Sequence, residues 1–107
     1  MVNFAVSSEM RGDVAKIRLS GDLDSSSATL FKDAVAKLAP VPPKTLVLFM
    51  RDLNFMASAG LRILIFAKQK LGDQVNIYIV QPQEQILDTL QKTGFDQSVY
   101  IVDDDPL

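Results

Sequence analysis

The feature that most limits the folds open to this chain is an unbroken apolar run, TLVLFM, at residues 45–50. Prolines precede the run, and two charged residues, Arg51 and Asp52, follow it. A short run without polar alternation is typical of a β-strand that is buried on both faces. We therefore predict that this segment is a central strand with both of its faces covered.

The segments on either side of this run alternate between strand and helix patterns. Residues 14–19 alternate apolar and polar side chains, as a half-buried strand does. Residues 28–38 and 61–71 instead repeat their apolar side chains at helical spacing. The predicted elements are strands at 2–6 and 14–19, a polar turn at 7–13, a first helix with Phe31, Ala34, Val35 and Leu38 inward, the strand 45–50, a helix at 61–71 with Leu61, Leu64, Ile65 and Leu71 inward, a strand at 75–80, a helix at 83–92 with Ile86, Leu87 and Leu90 inward, and a strand at 98–102.

This order, β-β-α-β-α-β-α-β, predicts an α/β fold. Strands that alternate with helices pair in parallel through right-handed crossovers, and the opening hairpin adds an antiparallel strand. We expect a mixed, mostly parallel sheet of about five strands, packed with three or more helices. The 107 residues suggest a single domain over 1–107, with a core at about 2–102 and a frayed, solvated acidic end at 103–107.

The composition argues against most enzyme classes. The chain has no His and no Cys, which removes the commonest general base, thiolate nucleophiles and the commonest transition-metal ligands. The glycine patterns that bind nucleotide phosphates are absent. The net charge of −2, from 11 basic and 13 acidic residues, gives no reason to expect nucleic-acid binding. We expect no catalytic residue, no cofactor and no metal ion.

Two weak signals for chemistry have simpler explanations. Asp22 and Asp24 could both contact a cation, but the calcium-loop pattern does not continue after them, so a solvated turn is preferred. Ser58 lacks the first glycine of a nucleophile elbow. A dyad of Ser58 with Lys68 or Lys70 would need to span roughly 15 to 18 Å of helix.

The N-terminal segment, MVNFAVSSEMRGD, lacks the basic and apolar stretches of a signal peptide. No apolar run approaches the roughly 20 residues of a membrane-spanning helix. We expect a soluble, cytoplasmic protein that does not insert into a membrane.

Ser58 lies in the segment NFMASAGLR, at the start of a predicted helix. As an N-cap, its oxygen would accept a hydrogen bond from the backbone N–H of Leu61. Phe55 and Met56 place large apolar side chains in the preceding loop, beside small residues that leave the backbone open to a second protein. Such a combination suits a contact surface.

Three ordered segments carry a resemblance to a known family. They are VAKIRLSGDLDSSSATLF at 14–31, KTLVLFMRDLNFMASAGLRILIFAKQKLG at 44–72 and IVQPQEQILDTLQKTGFDQSVYIV at 79–102. In this order and at this spacing, they resemble the STAS domain and, more narrowly, the bacterial anti-sigma-factor antagonists. The resemblance covers about residues 2–102.

The resemblance implies a binding module that is not an enzyme. Members bind an anti-sigma factor that is also a serine kinase, and binding frees the sigma factor. The kinase then phosphorylates one Ser of the antagonist, and a PP2C-type phosphatase reverses the modification. The family motif is close to D-S-[SAT]-G-[LIV]. Residues 58–61 match its last four positions, so the resemblance implies Ser58 as the phosphoacceptor, while Ala57 stands where the family usually has an acidic residue.

The resemblance also implies which residues bind the partner. The GDLD segment lies beside the phosphorylation loop in the family fold. For Ser25, a role as N-cap of the first helix is an equally good interpretation, and Ser25, Ser26 and Ser27 are the alternative phosphorylation sites. The implied partner-binding residues are Asp22, Asp24, Ser25, Phe55, Met56, Ala57, Ala59, Gly60, Leu61 and Arg62.

Other functions stay open at this point. STAS proteins also serve as accessory subunits that dock on the ATPase of a membrane lipid transporter, without a phosphorylation cycle, and as components of stress-signalling assemblies. A small hydrolase using Ser58 is the least favoured alternative. A homodimer is neither required nor excluded by the sequence.

Overall fold

The computed structural model describes residues 4–106, and this part of the chain forms five β-strands and three α-helices in the predicted order. A single 3-10 turn precedes the last strand. The elements are β1 (Ala5–Arg11), β2 (Val14–Leu23), α1 (Ala28–Ala36), β3 (Thr45–Met56), α2 (Ser58–Leu71), β4 (Asn76–Val80), α3 (Glu84–Thr93), the 3-10 turn (Phe95–Ser98) and β5 (Tyr100–Val102).

Within the described residues, the strands form one sheet in the order β1-β2-β3-β4-β5. Strand β1 is antiparallel to β2, and each later pair is parallel. The predicted α/β class and the mixed, mostly parallel sheet are therefore confirmed. Every parallel connection moves one strand in the same direction, so right-handed crossovers place the helices on the same face of the sheet.

The hydrophobic core lies between that face and the helices. Phe31 of α1, Leu64 of α2 and Leu90 of α3 belong to one fully buried cluster with Ile17 and Leu48 of the sheet. Residues 45–50 lie in the central strand of the sheet, as predicted, but the described helices cover only one of its faces, because the sequential strand order sends them all to one side. On the other face, Val47 is nevertheless buried, whereas Thr45 and Phe49 are half-buried.

The first strand differs from its prediction. The sequence predicted a strand at 2–6 and a turn at 7–13, but β1 runs from Ala5 to Arg11, and residues 1–3 lie outside the described part. Backbone pairing of 5–11 with 14–20 of β2 holds the polar residues of β1 in a strand despite their composition. The turn shrinks to Gly12 and Asp13, and Gly12 takes the positive φ of 61° that such a tight turn uses.

The helix faces and the last strand are mostly as predicted. In α3, Ile86 and Leu90 are buried, as expected. In α2, Ile65 is 40% exposed rather than inward. Leu64 and Leu71 are buried as predicted, and Gly60, Ile63 and Ala67 complete the inward face because each of them lies three or four positions from another residue of that face. Strand β5 is shorter than predicted, because the 3-10 turn takes up Ser98.

The acidic end of the chain is not simply frayed and solvated. The Nζ atom of Lys16 donates a hydrogen bond of 2.7 Å to Oδ2 of Asp105. Lys16 lies on β2, on the face of the sheet without helices, and 89 positions separate the two residues. The prediction for 103–107 is therefore wrong at Asp105, because a distant strand supplies a cation. Residue 107 lies outside the described part.

Candidate partner-binding site

The ends of β2 and β3 bring the two predicted parts of the site together. Asp22 is the cross-strand neighbour of Phe55, and Leu23 is the neighbour of Met56. Beyond the last pair, the backbone N–H of Ala57 donates a 2.8 Å hydrogen bond to the carbonyl of Leu23. The segment GDLD and the segment around Ser58 therefore form one continuous edge of the molecule.

Strand β3 continues six residues further than the sequence predicted. Two charged residues, Arg51 and Asp52, marked an apparent end, but the strand continues to Met56 because Leu53 and Met56 are buried against the core. Register shifts in the pairing with β2 accommodate this continuation. The predicted loop over 54–57 is therefore a strand up to Met56.

Helix α2 begins at Ser58, and its N-cap position is Ala57 rather than Ser58. The backbone N–H of Gly60 and the N–H of Leu61 both donate to the carbonyl of Ala57, at 2.9 and 3.3 Å. In the described structure no side chain caps this helix. The prediction that Ser58 accepts from Leu61 is wrong, because the carbonyl of Ala57 already accepts from that N–H group. The side chain of Ser58 is exposed.

Gly60 allows α2 to approach the ends of β2 and β3 closely. A Cβ atom built on Gly60 would lie 2.7 Å from Cγ of Met56 and 2.8 Å from Cδ2 of Leu23. Gly60 is buried and faces the core, so it fits the fold rather than leaving room for a partner. Leu23 was absent from the predicted site. The alternating pattern of β2, if extended past Leu19, would have indicated it as an inward residue.

The predicted contact residues divide by exposure. Phe55 is 39% exposed, whereas Met56 is 6% exposed. Met56 therefore lies beneath the surface and packs on Leu23 and α2. The other residues at this end are exposed or half-buried: Ser58 and Arg62 are exposed, and Ala57, Ala59 and Leu61 are half-buried.

The turn between β2 and α1 is built around the carboxylate of Asp24. Its Oδ1 atom accepts hydrogen bonds from the hydroxyl of Ser26 at 2.7 Å and from the N–H groups of Ser26 and Ser27, both at 3.0 Å. These bonds favour the ionised carboxylate. The Ser26 hydroxyl, followed by the Ser27 N–H, lowers the pKa of Asp24 below its ordinary value of 3.8.

Ser27 has a structural role in the same turn. Its side chain is buried, with Oγ donating to the carbonyl of Asp22 at 2.8 Å and accepting from the N–H of Asp24 at 2.9 Å. Ser27 also occupies the N-cap position of α1, so the interpretation of Ser25 as that N-cap is wrong. Ser25 is exposed in the turn.

The side chain of Lys68 does not contact Ser58. The Nζ atom of Lys68 donates a 3.0 Å hydrogen bond to the carbonyl of Val75. This bond lies at the C-terminal end of α2, whereas Ser58 lies at the N-terminal end. Within residues 4–106, no three metal-ligating side chains come together. No helix in the same range is long and apolar enough to cross a membrane.

The family model of the STAS domain matches residues 5–105 of this chain. Among curated proteins, the anti-sigma-F factor antagonist RsfB of Mycobacterium tuberculosis is 28% identical over 67 residues. The matched segment is 63% of this chain and 55% of RsfB, so the chain spans about half the length of the curated relative it matches.

Solved structures of similar shape include an anti-sigma factor antagonist from Mycobacterium paratuberculosis. Its TM-score is 0.84 at 23% identity, over 94% of this chain and 86% of that one. The anti-sigma factor antagonist SpoIIAA in its unphosphorylated form gives 0.79 at 19% identity, over 91% and 87% of the two chains. The phosphorylated form of SpoIIAA from Bacillus gives 0.74 at 19% identity, over 91% and 90%. At these identities, the structural likeness establishes the fold.

Proposed function

The chain belongs to the STAS domain family, and on this premise we propose that it is an anti-sigma-factor antagonist. In this proposal a single STAS domain over 1–107 binds an anti-sigma factor that is also a serine kinase, and so releases a sigma factor. The kinase ends the interaction by phosphorylating Ser58, and a PP2C-type phosphatase restores binding. The protein acts in the cytoplasm by binding alone and catalyses no reaction.

The observation that carries the proposal is the position of the Ser58 hydroxyl. It is exposed at the first residue of α2, it does not cap the helix, and small residues flank it. A kinase can therefore reach it without unfolding the helix. The exposed Phe55 and Arg62 at the same end provide apolar and charged contacts for a docked partner.

The other serines near this edge are less suitable acceptors. Ser27 is buried with its hydroxyl in hydrogen bonds, and the Ser26 hydroxyl is bonded to the Asp24 carboxylate at 2.7 Å. Phosphorylation of either would disrupt the turn that starts α1. Ser25 is exposed and is therefore the alternative site that an experiment needs to exclude.

A phosphate on Ser58 would act locally on the docked surface. It adds about −1.5 to −2 charges at pH 7. The N-terminus of α2 favours an anion, so we expect the helix to persist. A partner that covers this edge would have to desolvate the phosphate close to the carboxylates of Asp22 and Asp24, and burial of an unpaired anion is costly. The dissociation rate of the partner should therefore rise.

Binding of a Ser58→Asp variant to the cognate anti-sigma factor tests the surface. We expect its affinity to fall by about tenfold or more, which corresponds to about 1.4 kcal/mol of binding free energy. Ser98→Asp is the matched control, because Ser98 is exposed in the 3-10 turn before β5. Equal affinities of Ser58→Asp and the wild type would overturn the proposal.

Intact-mass measurement after incubation with the kinase and ATP tests the acceptor directly. The wild-type chain and a Ser25→Ala variant should each gain one phosphate, and Ser58→Ala should gain none. Phosphate found on Ser58→Ala would move the site to the turn at 25–27.

Ala57 favours one second candidate function. An acidic residue is usual at this position in the family, and here the N-cap of α2 has no side-chain oxygen. An accessory subunit that docks on the ATPase of a lipid transporter would need no phosphorylation cycle. Genes for a sigma factor, a serine kinase or a PP2C-type phosphatase beside this one would support antagonism, whereas transporter genes would support the second candidate.

A further inference from the structure

The face of the sheet opposite the helices carries aromatic and basic side chains. We call it the open face and define it by Lys16 and Arg18 of β2, Val47 and Phe49 of β3, Tyr78 of β4 and Tyr100 of β5. These residues alternate along their strands with the core residues that face the helices. Cross-strand pairing places Lys16, Val47, Tyr78 and Tyr100 in one row.

The side chains of the open face are arranged in pairs. The guanidinium of Arg18 lies 4.3 Å from the ring centroid of Phe49. The rings of Tyr78 and Tyr100 are stacked with their centroids 5.0 Å apart, and Tyr100 is 54% exposed. A guanidinium held on a ring still has edge N–H groups that match a carboxylate. Such pairs present fixed cationic and apolar contacts to an extended peptide.

The chain's own acidic segment, residues 103–106, which we call the acidic strap, contacts this face through Asp105. The ion pair of Asp105 with Lys16 joins the strap, which follows β5, to β2, three strands away. Because neighbouring strands are about 4.8 Å apart, β5 and β2 are separated by roughly 14 Å. The strap and the Lys16 side chain together therefore bridge the strands between β5 and β2.

The burial of Val47 supports this arrangement. Val47 is 0% exposed, although it lies outside the cluster that the described helices cover. It stands in the row next to Lys16, whose side chain is only 15% exposed. The Asp105 side chain is 34% exposed and residues 103–106 are exposed, so the strap lies at the surface of the molecule.

From this geometry we propose that the open face is a second docking surface, which takes an extended, Asp- or Glu-rich segment of a partner protein, and that the acidic strap occupies it until it is displaced. The strap shows which chemistry the surface accepts, namely a carboxylate on Lys16. An ion pair with partial solvent access contributes little to holding the strap on the open face, so a partner's acidic segment can compete with the strap for Lys16. Glu9, the acidic cross-strand neighbour of Lys16 on β1, forms an ion pair with Arg11, in which Oε2 of Glu9 lies 3.9 Å from Nε of Arg11.

The test uses a blocked peptide with the sequence VDDDP, residues 102–106, as the probe. Its binding is followed by chemical shifts in isotope-labelled full-length protein. A triple variant that combines Asp103→Asn, Asp104→Asn and Asp105→Asn should bind the peptide about tenfold more tightly than the wild type. This factor is expected if the strap covers the open face in about nine-tenths of the wild-type molecules. The shifts should cluster at Lys16, Val47 and Tyr100.

Controls separate specific docking from general attraction. Adding Lys16→Gln to the triple variant should abolish peptide binding. Lys92→Gln should not weaken it, because Lys92 lies on α3 in an exposed ion pair with Asp88. The peptide VNNNP should not bind.

Three outcomes would overturn the proposal. The first is that the VDDDP peptide does not bind the triple variant. The second is that it binds the wild type and the triple variant with equal affinity. The third is that it still binds after Lys16→Gln is added to the triple variant. If dilution of the peptide-free triple variant shifts the same resonances, the face pairs with a second copy of the chain, and the assignment to a partner's acidic segment fails. None of these outcomes depends on Ser58.

Discussion

The two junctions at which a strand leads into a helix beside the candidate site are built in different ways. Between β2 and α1, side chains hold the turn: Asp24 accepts from the backbone at 3.0 Å, and the buried Ser27 joins two backbone groups. Between β3 and α2, the backbone alone makes the turn, with Ala57 at the N-cap position, and close packing of Gly60 secures it.

This difference separates serines whose hydroxyls form hydrogen bonds within a turn from Ser58, whose side chain is exposed. A run of three serines looks like a richer modification target than the single Ser58. The structure shows that two of the three have hydroxyls engaged in the turn, whereas Ser58 has an exposed side chain that does not cap its helix. The junction with the weaker side-chain network is therefore the one in which the serine side chain takes no part in making the turn.

The largest effect is expected when the packing of the second junction is broken. In Gly60→Ala, the new methyl group would lie under 3.0 Å from Met56 and Leu23. We expect the free energy of unfolding to fall by about 2–3 kcal/mol through overpacking, although alanine has the better helix propensity. Urea unfolding measures the change.

A second substitution checks that the clash is the cause. Leu23→Ala removes two of the three close contacts, so the loss caused by Gly60→Ala should be smaller in the Leu23→Ala background than in the wild type. A Gly60→Ala protein as stable as the wild type would contradict the tight packing of this junction.

Breaking the side-chain network of the first junction should have the next largest effect. Ser27→Ala leaves the carbonyl of Asp22 and the N–H of Asp24 without their buried partner. We expect a loss of about 1–2 kcal/mol in the free energy of unfolding. Ser58→Ala is the matched control and should change stability by less than about 0.5 kcal/mol. Equal losses for the two variants would remove the contrast between the junctions.

Adding a side-chain cap to the second junction should make it resemble the first. Ala57→Asp places a carboxylate at the N-cap of α2, where it can accept from the N–H groups of the first turn. We expect a gain of about 1 kcal/mol in the free energy of unfolding, measured by urea unfolding. Ala59→Asp lies inside the first turn, cannot act as the N-cap, and should gain less.

The smallest effect is a dependence on acid at the first junction. The hydrogen bonds from Ser26 and Ser27 lower the pKa of folded Asp24 below 3.8. A group whose pKa is lower in the folded state contributes stability above its unfolded pKa and loses it as the pH falls through the folded pKa. The stability advantage of the wild type over Asp24→Asn should therefore be constant near neutral pH and shrink below 3.8.

Carboxylate titration by NMR provides the direct measurement. Ser26→Ala removes the first cause of the shift, so the pKa of Asp24 should rise toward its ordinary value of 3.8. An unchanged pKa in Ser26→Ala would show that the Ser26 hydroxyl does not stabilise the carboxylate in solution.

The sequence predicted the order of the described elements and the type of sheet, but several boundaries moved. Residues 7–11 look like part of a turn, yet pairing with β2 makes them a strand. Arg51 and Asp52 look like the end of β3, yet the burial of Leu53 and Met56 extends it. Backbone pairing across the hairpin decided the first outcome and burial against the core decided the second, and local composition contains neither.

For the candidate site, the sequence indicated which two segments lie side by side, but not the burial and capping positions of their residues. The resemblance to STAS domains indicated that GDLD lies beside Ser58, and the pairing of Asp22 with Phe55 brings the two segments together. It did not indicate that Met56 is buried or that Ala57 takes the N-cap position, because both depend on how closely α2 approaches β2.

By itself, the sequence determined that this chain forms alternating strands and helices in an α/β domain, since hydrophobic periodicity and glycine or proline stops act over a few neighbouring residues. Only the tertiary structure decided which serine hydroxyls are engaged in hydrogen bonds, which face of the sheet stays without helices and where the acidic strap lies. These depend on contacts such as Lys16 with Asp105, whose partners are 89 positions apart. Nothing in the local pattern around either residue specifies such a contact, because only the folded sheet brings the two together.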